Sequence, residues 1–96
     1  MTMQFPAGEY WIGDPCYVLG ACGFSWTHYT AYGDGRFKDN RGREYFVDSG
    51  TLGIFPADAV PSDATCGSFV RQRKSFTPTY EDGKFTFGTV VIDTET

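Results

Sequence analysis

Short strands separated by tight turns are the pattern that most constrains the fold of this chain. Groups of Gly, Asp, Asn and Pro recur roughly every eight to twelve residues, a spacing typical of all-β domains. The segments between them alternate apolar and polar side chains, and apolar side chains at helical spacing are almost absent. Twelve glycines and five prolines also suit turns and disfavour long helices. We therefore predict an all-β fold, a compact antiparallel sandwich or partly open barrel of six to eight short strands.

The clearest turns are the two Asp-Gly hairpins, at residues 33–35 and 81–83. Asp-Gly pairs adopt the positive φ angles that tight hairpins need. At most one short helical turn is predicted, at Pro56–Val60. Pro61 would end this turn, because proline does not continue a helix. The predicted strands are Glu9–Ile12, Phe24–Tyr32, Arg36–Lys38, Glu44–Val47, Leu52–Phe55, Gly67–Arg73, Phe76–Tyr80 and Lys84–Ile92.

The last predicted strand is read as one continuous segment at the centre of a sheet. Phe85, Phe87, Thr89 and Val91 would share one face, because alternate residues of a strand point the same way. The residues after it, 93–96, are expected to fray.

The length of 96 residues indicates a single domain spanning 1–96, since two cores would each be too small to fold unaided. No run approaches the 18 or so apolar residues of a membrane helix, and no secretory signal is visible at the start. Three cysteines, Cys16, Cys22 and Cys66, are an odd number for a secreted domain. We therefore expect reduced thiols and a cytoplasmic location, while a Cys16–Cys22 or Cys22–Cys66 bridge stays open.

Residues with the chemistry for metal binding or catalysis are sparse. His28 is the only histidine, and the cysteines lack the spacing of a zinc site, so neither a metal nor a cofactor is predicted. A nucleophile, Cys16 or Ser49, would need His28 beside it as a base. We regard such a hydrolase as the minor alternative.

The positive residues are more informative than the net charge of −4, which argues against direct DNA binding. Seven of the eight lie in two short runs, at residues 36–43 and 71–74. Arg36 and Lys38 share a strand face, and so do Arg71 and Arg73. If the runs are neighbours, these four residues form one basic surface for an anionic ligand. Two tyrosines, Tyr29 and Tyr32, are the expected stacking partners.

Three segments of the sequence resemble a family of small uncharacterised proteins encoded in bacteriophages and bacterial genomes. They are the IGDPCY run within Gly8–Leu19, the YGDG turn and VDSG segment within Ala31–Pro56, and the closing strand within Tyr80–Thr94. Within these segments we single out five residues with a structural or ligand-binding role: Asp14, Cys16, Tyr17, Asp48 and Ser49. The resemblance implies a phage setting and no particular activity.

We expect a small phage-type binding protein that counters host immunity. Its partner would be a nucleotide-like anionic ligand, which it sequesters, or a host defence protein, which it blocks. The alternative is a protein–protein inhibitor with an acidic, nucleic-acid-like face, formed by Glu9, Asp14, Asp58 and Asp63. No membrane partner is expected, and open strand edges with many aromatic side chains favour a homo-oligomer.

Overall fold

The computed structural model describes residues 4–18 and 25–95, and only the backbone of Tyr17. Within these residues the protein is all-β, as predicted, and its only helices are two three-residue 3-10 turns. One of them, Ala57–Ala59, lies in the predicted helical turn, and the other is Pro15–Tyr17. The nine strands are β1 Gly8–Gly13, β2 Trp26–Tyr29, β3 Gly35–Lys38, β4 Glu44–Val47, β5 Thr51–Pro56, β6 Ser68–Gln72, β7 Thr79–Glu81, β8 Lys84–Phe87 and β9 Val90–Asp93.

The first layer is an antiparallel sheet with the strand order β2-β5-β1-β6. Its central strand β1 is buried on both faces. Tyr10 and Ile12 belong to the main core, whereas Trp11 packs on the opposite face with Phe55 and Val60 in a second, smaller core. Because β1 and β5 are interior, β2 and β6 are the two edges of this sheet.

The second layer combines the β3-β4 hairpin with the three-stranded β7-β8-β9 sheet. An isolated antiparallel bridge between Asp39 and Ile92 joins β3 to β9. The backbone N–H of Asn40 also donates to the carbonyl of Val91, at 2.9 Å. The layer therefore runs in the order β4-β3-β9-β8-β7, and its buried face contributes Phe37, Tyr45, Val47, Phe85, Phe87, Val90 and Ile92 to the main core.

The two layers meet differently at their two flanks. On one flank the ring of His28, on β2, stacks on Tyr80, on β7, with the ring centroids 3.9 Å apart. On the other flank the backbone N–H of Phe46, on β4, donates to the carbonyl of Cys66 at 3.1 Å, just before β6 begins. The two sheets thus form a sandwich without closing into a barrel.

The last strand of the sequence prediction is wrong, because Lys84–Ile92 folds as two strands. β8 and β9 form a hairpin in which Phe87 lies opposite Val90, and Gly88 takes a φ of +60° in the turn. Phe85 and Phe87 are buried as expected, but Thr89 is exposed in the turn. The apolar positions change from odd to even numbers at this turn, so Val90 and Ile92 are buried instead of Val91.

Parts of two further predictions lie outside the described residues. These are the start of the second predicted strand, at Phe24, and both disulfide alternatives, which involve Cys22. In the described part of the chain no helix is long and apolar enough to span a membrane.

Candidate anion-binding groove

The IGDPCY and VDSG motifs meet at the carboxylate of Asp14, which is fully buried. Its Oδ1 accepts hydrogen bonds from the backbone N–H of Cys16 at 2.9 Å and from the hydroxyl of Ser49 at 2.8 Å. Its Oδ2 accepts from the N–H groups of Asp48 and Ser49 at 2.8 and 2.9 Å. Asp14 thus caps the first 3-10 turn and ties it to the loop after β4. The side chain of Tyr17 is outside the described set.

These contacts set the protonation states of Asp14 and Cys16. Burial alone would raise the pKa of Asp14, but hydrogen bonds from Cys16, Ser49 and Asp48 outweigh it, and the net pKa lies well below its usual range. Burial raises the pKa of the Cys16 thiol to about 12, and the neighbouring carboxylates of Asp14 and Asp48 add to the effect. Cys16 is therefore a neutral thiol at physiological pH, and a neutral thiol is a poor nucleophile.

The ligand atoms of Asp14, Cys16 and Asp48 lie within 4.8 Å of one another, a spacing that would suit a metal ion. The carboxylate of Asp14, however, already accepts four hydrogen bonds, and the thiol of Cys16 donates to Asp48 at 3.4 Å. A cation here would have to displace contacts that join two loops. This arrangement fits a structural joint between the IGDPCY and VDSG motifs.

His28, the base required by a hydrolase, has other partners. Its ring stacks on Tyr80, and its Nδ1 donates to the carbonyl of Tyr29 at 2.8 Å. The hydroxyl of Ser49 donates to Asp14. The described contacts of His28 include neither Cys16 nor Ser49, so they give the predicted nucleophile–base pair no geometric support.

The two basic runs do approach each other, with Arg71 and Arg73 as predicted, but the first run contributes Arg41 and Arg43 in place of Arg36 and Lys38. Arg36 and Lys38 lie on the exposed side of β3, where they line a shallow hollow with two acids, Glu44 and Asp93. The guanidinium of Arg36 also lies over the ring of Phe46, 4.7 Å from its centroid. Arg36 and Lys38 therefore line a different hollow from the one lined by Arg71 and Arg73.

The turn between β3 and β4 places Arg41 and Arg43, from the first basic run, at the groove that the second basic run lines. The buried carboxylate of Asp39 organises it, accepting hydrogen bonds from the N–H groups of Arg41 and Arg43 at 2.8 and 3.0 Å. Its second oxygen accepts from Nε of Arg43 and from the hydroxyl of Tyr45, both at 2.7 Å. Burial works to raise the pKa of Asp39, but these bonds lower it on balance. The turn is thus held in one geometry around an ionised carboxylate.

Two amide side chains connect the β8–β9 turn to the basic segments on either side of it. Asn40 donates from Nδ2 to the carbonyl of Thr89 at 3.0 Å, and its Oδ1 accepts from the N–H of Val91 at 3.1 Å. Gln72, buried at the end of β6, donates to the carbonyl of Phe87 at 2.7 Å. A Cβ at residue 88 would overlap the amide group of Gln72, so this turn requires Gly88.

The result is a groove of about 760 Å³ that runs along β6 and the residues after it. Residues 69–76 line one side continuously, and Arg41, Arg43 and the β8–β9 turn line the other. Among the residues that the structure describes, the lining includes five cationic side chains and no acidic one. The cations are Arg41, Arg43, Arg71, Arg73 and Lys74.

Two of the five cations are compensated by ion pairs. Arg43 pairs with Asp39, and Arg71 with the exposed Glu9 opposite it on β1. Arg41, Arg73 and Lys74 form no ion pair with a described residue. About three positive charges therefore face the groove without a counter-charge, although the whole chain is acidic.

The predicted stacking residues lie elsewhere. Tyr29 and Tyr32 are 73% and 76% exposed, but Tyr29 is on β2, at the opposite edge of the sheet from β6. Three steps between neighbouring strands separate these edges by roughly 14 Å. Of the two phenylalanines that line the groove, Phe76 is buried and Phe69 is 41% exposed.

Sequence reasoning passed over Phe69, Arg41, Arg43 and Lys74 as binding residues. The alternation of β6 carried a signal for Phe69, because Phe69, Arg71 and Arg73 occupy alternate, exposed positions. No comparable local signal placed Arg41 and Arg43 opposite them, since that depends on contacts between distant parts of the chain.

The acidic face proposed as an alternative is not continuous. Asp14 is fully buried, and Glu9 is engaged by Arg71, which leaves Asp58 and Asp63 exposed near the second 3-10 turn. Two of the four residues are therefore unsuited to presenting free charge to a partner.

Comparisons of the chain with known protein families, with curated proteins and with solved structures found no match. The functional conclusion therefore rests on the groove itself.

Proposed function

We propose that this protein is a binding protein that captures an anionic partner in the basic groove. The observation that carries the proposal is the set of five cations around a groove without acidic lining residues, three of them without an ion pair to a described residue. Arg side chains suit this role because the guanidinium group forms paired, charge-assisted hydrogen bonds to phosphate or carboxylate. The volume is also in the range of small-molecule sites.

The proposed biological role is that of a phage-type protein acting against host immunity, either by sequestering an anionic nucleotide signal or by blocking a defence protein. The support for this setting is the resemblance of the IGDPCY, YGDG and VDSG segments to phage proteins. The support for binding over catalysis is local, since Cys16 is held as a neutral thiol and His28 stacks on Tyr80. Homo-oligomerisation stays a prediction.

The test is native mass spectrometry of the protein with and without a panel of nucleotides and inorganic polyphosphate. Retained ligand should appear with the wild-type protein and fall about fivefold in Arg73→Glu, because reversing one exposed charge changes the interaction by on the order of 1 kcal/mol. Arg36→Glu is the matched control, since it makes the same charge change outside the groove and should retain the ligand.

Equal losses in the two variants would show that binding follows net charge alone and would overturn the assignment to the groove. If the protein retains no nucleotide, no polyphosphate and no acidic peptide, the proposed function fails.

A further inference from the structure

The groove coincides with a seam where two sheet edges separate. β4 is joined to the chain at Cys66 by the backbone bond from Phe46, and residue 76 is paired with Phe5 by two backbone bonds of 2.7 and 2.9 Å. Between these two points, the described residues form no strand pairing with the outer edge of β6. Residues 69–76 all line the groove, so the groove follows the backbone of this free edge.

An edge strand leaves half of its backbone N–H and C=O groups without a strand partner. Alternate residues of β6 direct these groups towards β1, and the others direct them away from it. An extended peptide that lies beside such an edge satisfies these groups by forming one more strand. Charged side chains flank the edge of β6 at Arg71 and Arg73, and they select which peptides can approach.

Resting on the proposed function, we propose that the partner captured in the groove is an extended acidic segment of another protein, which pairs with β6 as an added strand. Charge complementarity identifies the segment as acidic, because every charged side chain lining the groove is positive. The position of the cations also fits a strand. Arg71 and Arg73 lie two residues apart on the exposed face of β6, the same spacing at which alternate acidic residues of a strand recur.

The buried residues that line the groove determine which side chains the inward face of the added strand should carry. Val70, Phe76 and Val90 line the groove and are buried or nearly so. Apolar side chains at alternate positions of the partner would point towards them, while its acidic side chains lie beside the arginines. The expected partner sequence therefore alternates acidic and apolar residues over about four to six positions, since β6 itself spans five residues.

The experiment uses a fluorescein-labelled nine-residue peptide in which Glu and Val alternate, followed by fluorescence anisotropy with the full chain. One comparison peptide has Lys in place of Glu. A second has the same composition with the Glu residues placed together, so that charge is kept and alternation is lost. The alternating peptide should bind at least fivefold more tightly than the block peptide, and the Lys peptide should not bind.

The backbone pairing is read separately by amide hydrogen exchange of the ¹⁵N-labelled protein. Saturation with the alternating peptide should slow exchange at least fivefold for amides within residues 69–73 that face the groove. Exposed amides of β2, the opposite edge, should be unchanged. The double variant Arg73→Glu/Lys74→Glu should weaken peptide binding at least tenfold, whereas Arg36→Glu should leave it within twofold.

Three results would overturn the added-strand proposal. Peptide binding without slower exchange in residues 69–73 would mean capture by charge alone, and the proposed function would stand. Retention of a nucleotide with no binding of the alternating peptide would assign the groove to a small phosphorylated ligand, and the proposed function would again stand. Slower exchange in residues 69–73 without peptide, rising with protein concentration, would assign the edge to a second copy of this chain.

Discussion

Replacing Asp14 by Asn tests the structural joint on which the arrangement of the loops depends. The carboxylate accepts two hydrogen bonds on each oxygen, from the N–H groups of Cys16, Asp48 and Ser49 and from the hydroxyl of Ser49. An asparagine has one carbonyl oxygen, so it serves one of these pairs and presents its own NH₂ group to the other. Two charge-assisted hydrogen bonds are lost, each contributing about 1.5–3 kcal/mol.

The expected loss in the free energy of unfolding is therefore about 3–6 kcal/mol at pH 7, a large share of the roughly 5–15 kcal/mol typical of a domain. Urea unfolding followed by tryptophan fluorescence measures it. Asp63→Asn is the matched control, because Asp63 is exposed, and its unfolding free energy should stay within about 0.5 kcal/mol of the wild type.

The pH dependence gives a second, independent reading of the same group. The pKa of Asp14 is lowered in the folded state, so its contribution is fully present above the unfolded value of about 3.9 and is lost as the pH falls through the lower folded value. The stability gap between wild type and Asp14→Asn should therefore narrow between pH 5 and pH 2. A gap below about 1 kcal/mol at pH 7, or one that is unchanged at pH 3, would refute this account of Asp14.

Three further substitutions or reactions test other parts of the structure. At pH 8, iodoacetamide should alkylate Cys16 at least tenfold more slowly than a cysteine in an unstructured peptide, because the pKa of Cys16 is raised to about 12. Site-resolved mass spectrometry measures the two rates, and equal rates would contradict the neutral thiol. Gln72→Leu should lower the free energy of unfolding by about 1–3 kcal/mol, because it leaves the carbonyl of Phe87 without its hydrogen-bond donor. An unchanged midpoint of urea unfolding would contradict this role of Gln72. Gly67→Ala should lower the free energy of urea unfolding by at least about 1–3 kcal/mol, because the added methyl group overlaps the backbone carbonyl oxygen of Ile12. Unchanged stability would contradict this close contact.

Local sequence signals predicted the all-β fold and the second Asp-Gly hairpin, whereas the first, at residues 33–35, is not a hairpin because β2 pairs with β5 and not with β3. Asp82 and Gly83 have φ angles of 52° and 82°, so the second Asp-Gly hairpin turn follows directly from residue type. The β8–β9 turn was missed because the alternation of Phe85 and Phe87 was continued through Gly88 to Thr89 and Val91. Gly88, a residue type that allows the positive φ of a tight turn, is the signal that would have revealed it.

The groove depends on contacts between residues far apart in the sequence, which local patterns do not specify. The two basic runs were recognised, but their orientation follows from Asn40 and Gln72, which hold the β8–β9 turn from opposite sides. A polar residue at an inward position, such as Gln72, becomes interpretable only when its partner strand is known. The same holds for Asp14, whose hydrogen-bond partners Asp48 and Ser49 are more than thirty residues away.

The central claim is that the anionic partner binds where Arg41, Arg43, Arg71 and Arg73 converge. The most direct measurement is the NMR spectrum of the arginine Nε–H groups during titration with the alternating Glu/Val peptide or, separately, with pyrophosphate. The signals of these four arginines should shift and saturate together, while that of Arg36 on β3 should stay in place. Shifts of Arg36 equal to those of the groove arginines, or no shift in any of them, would contradict it.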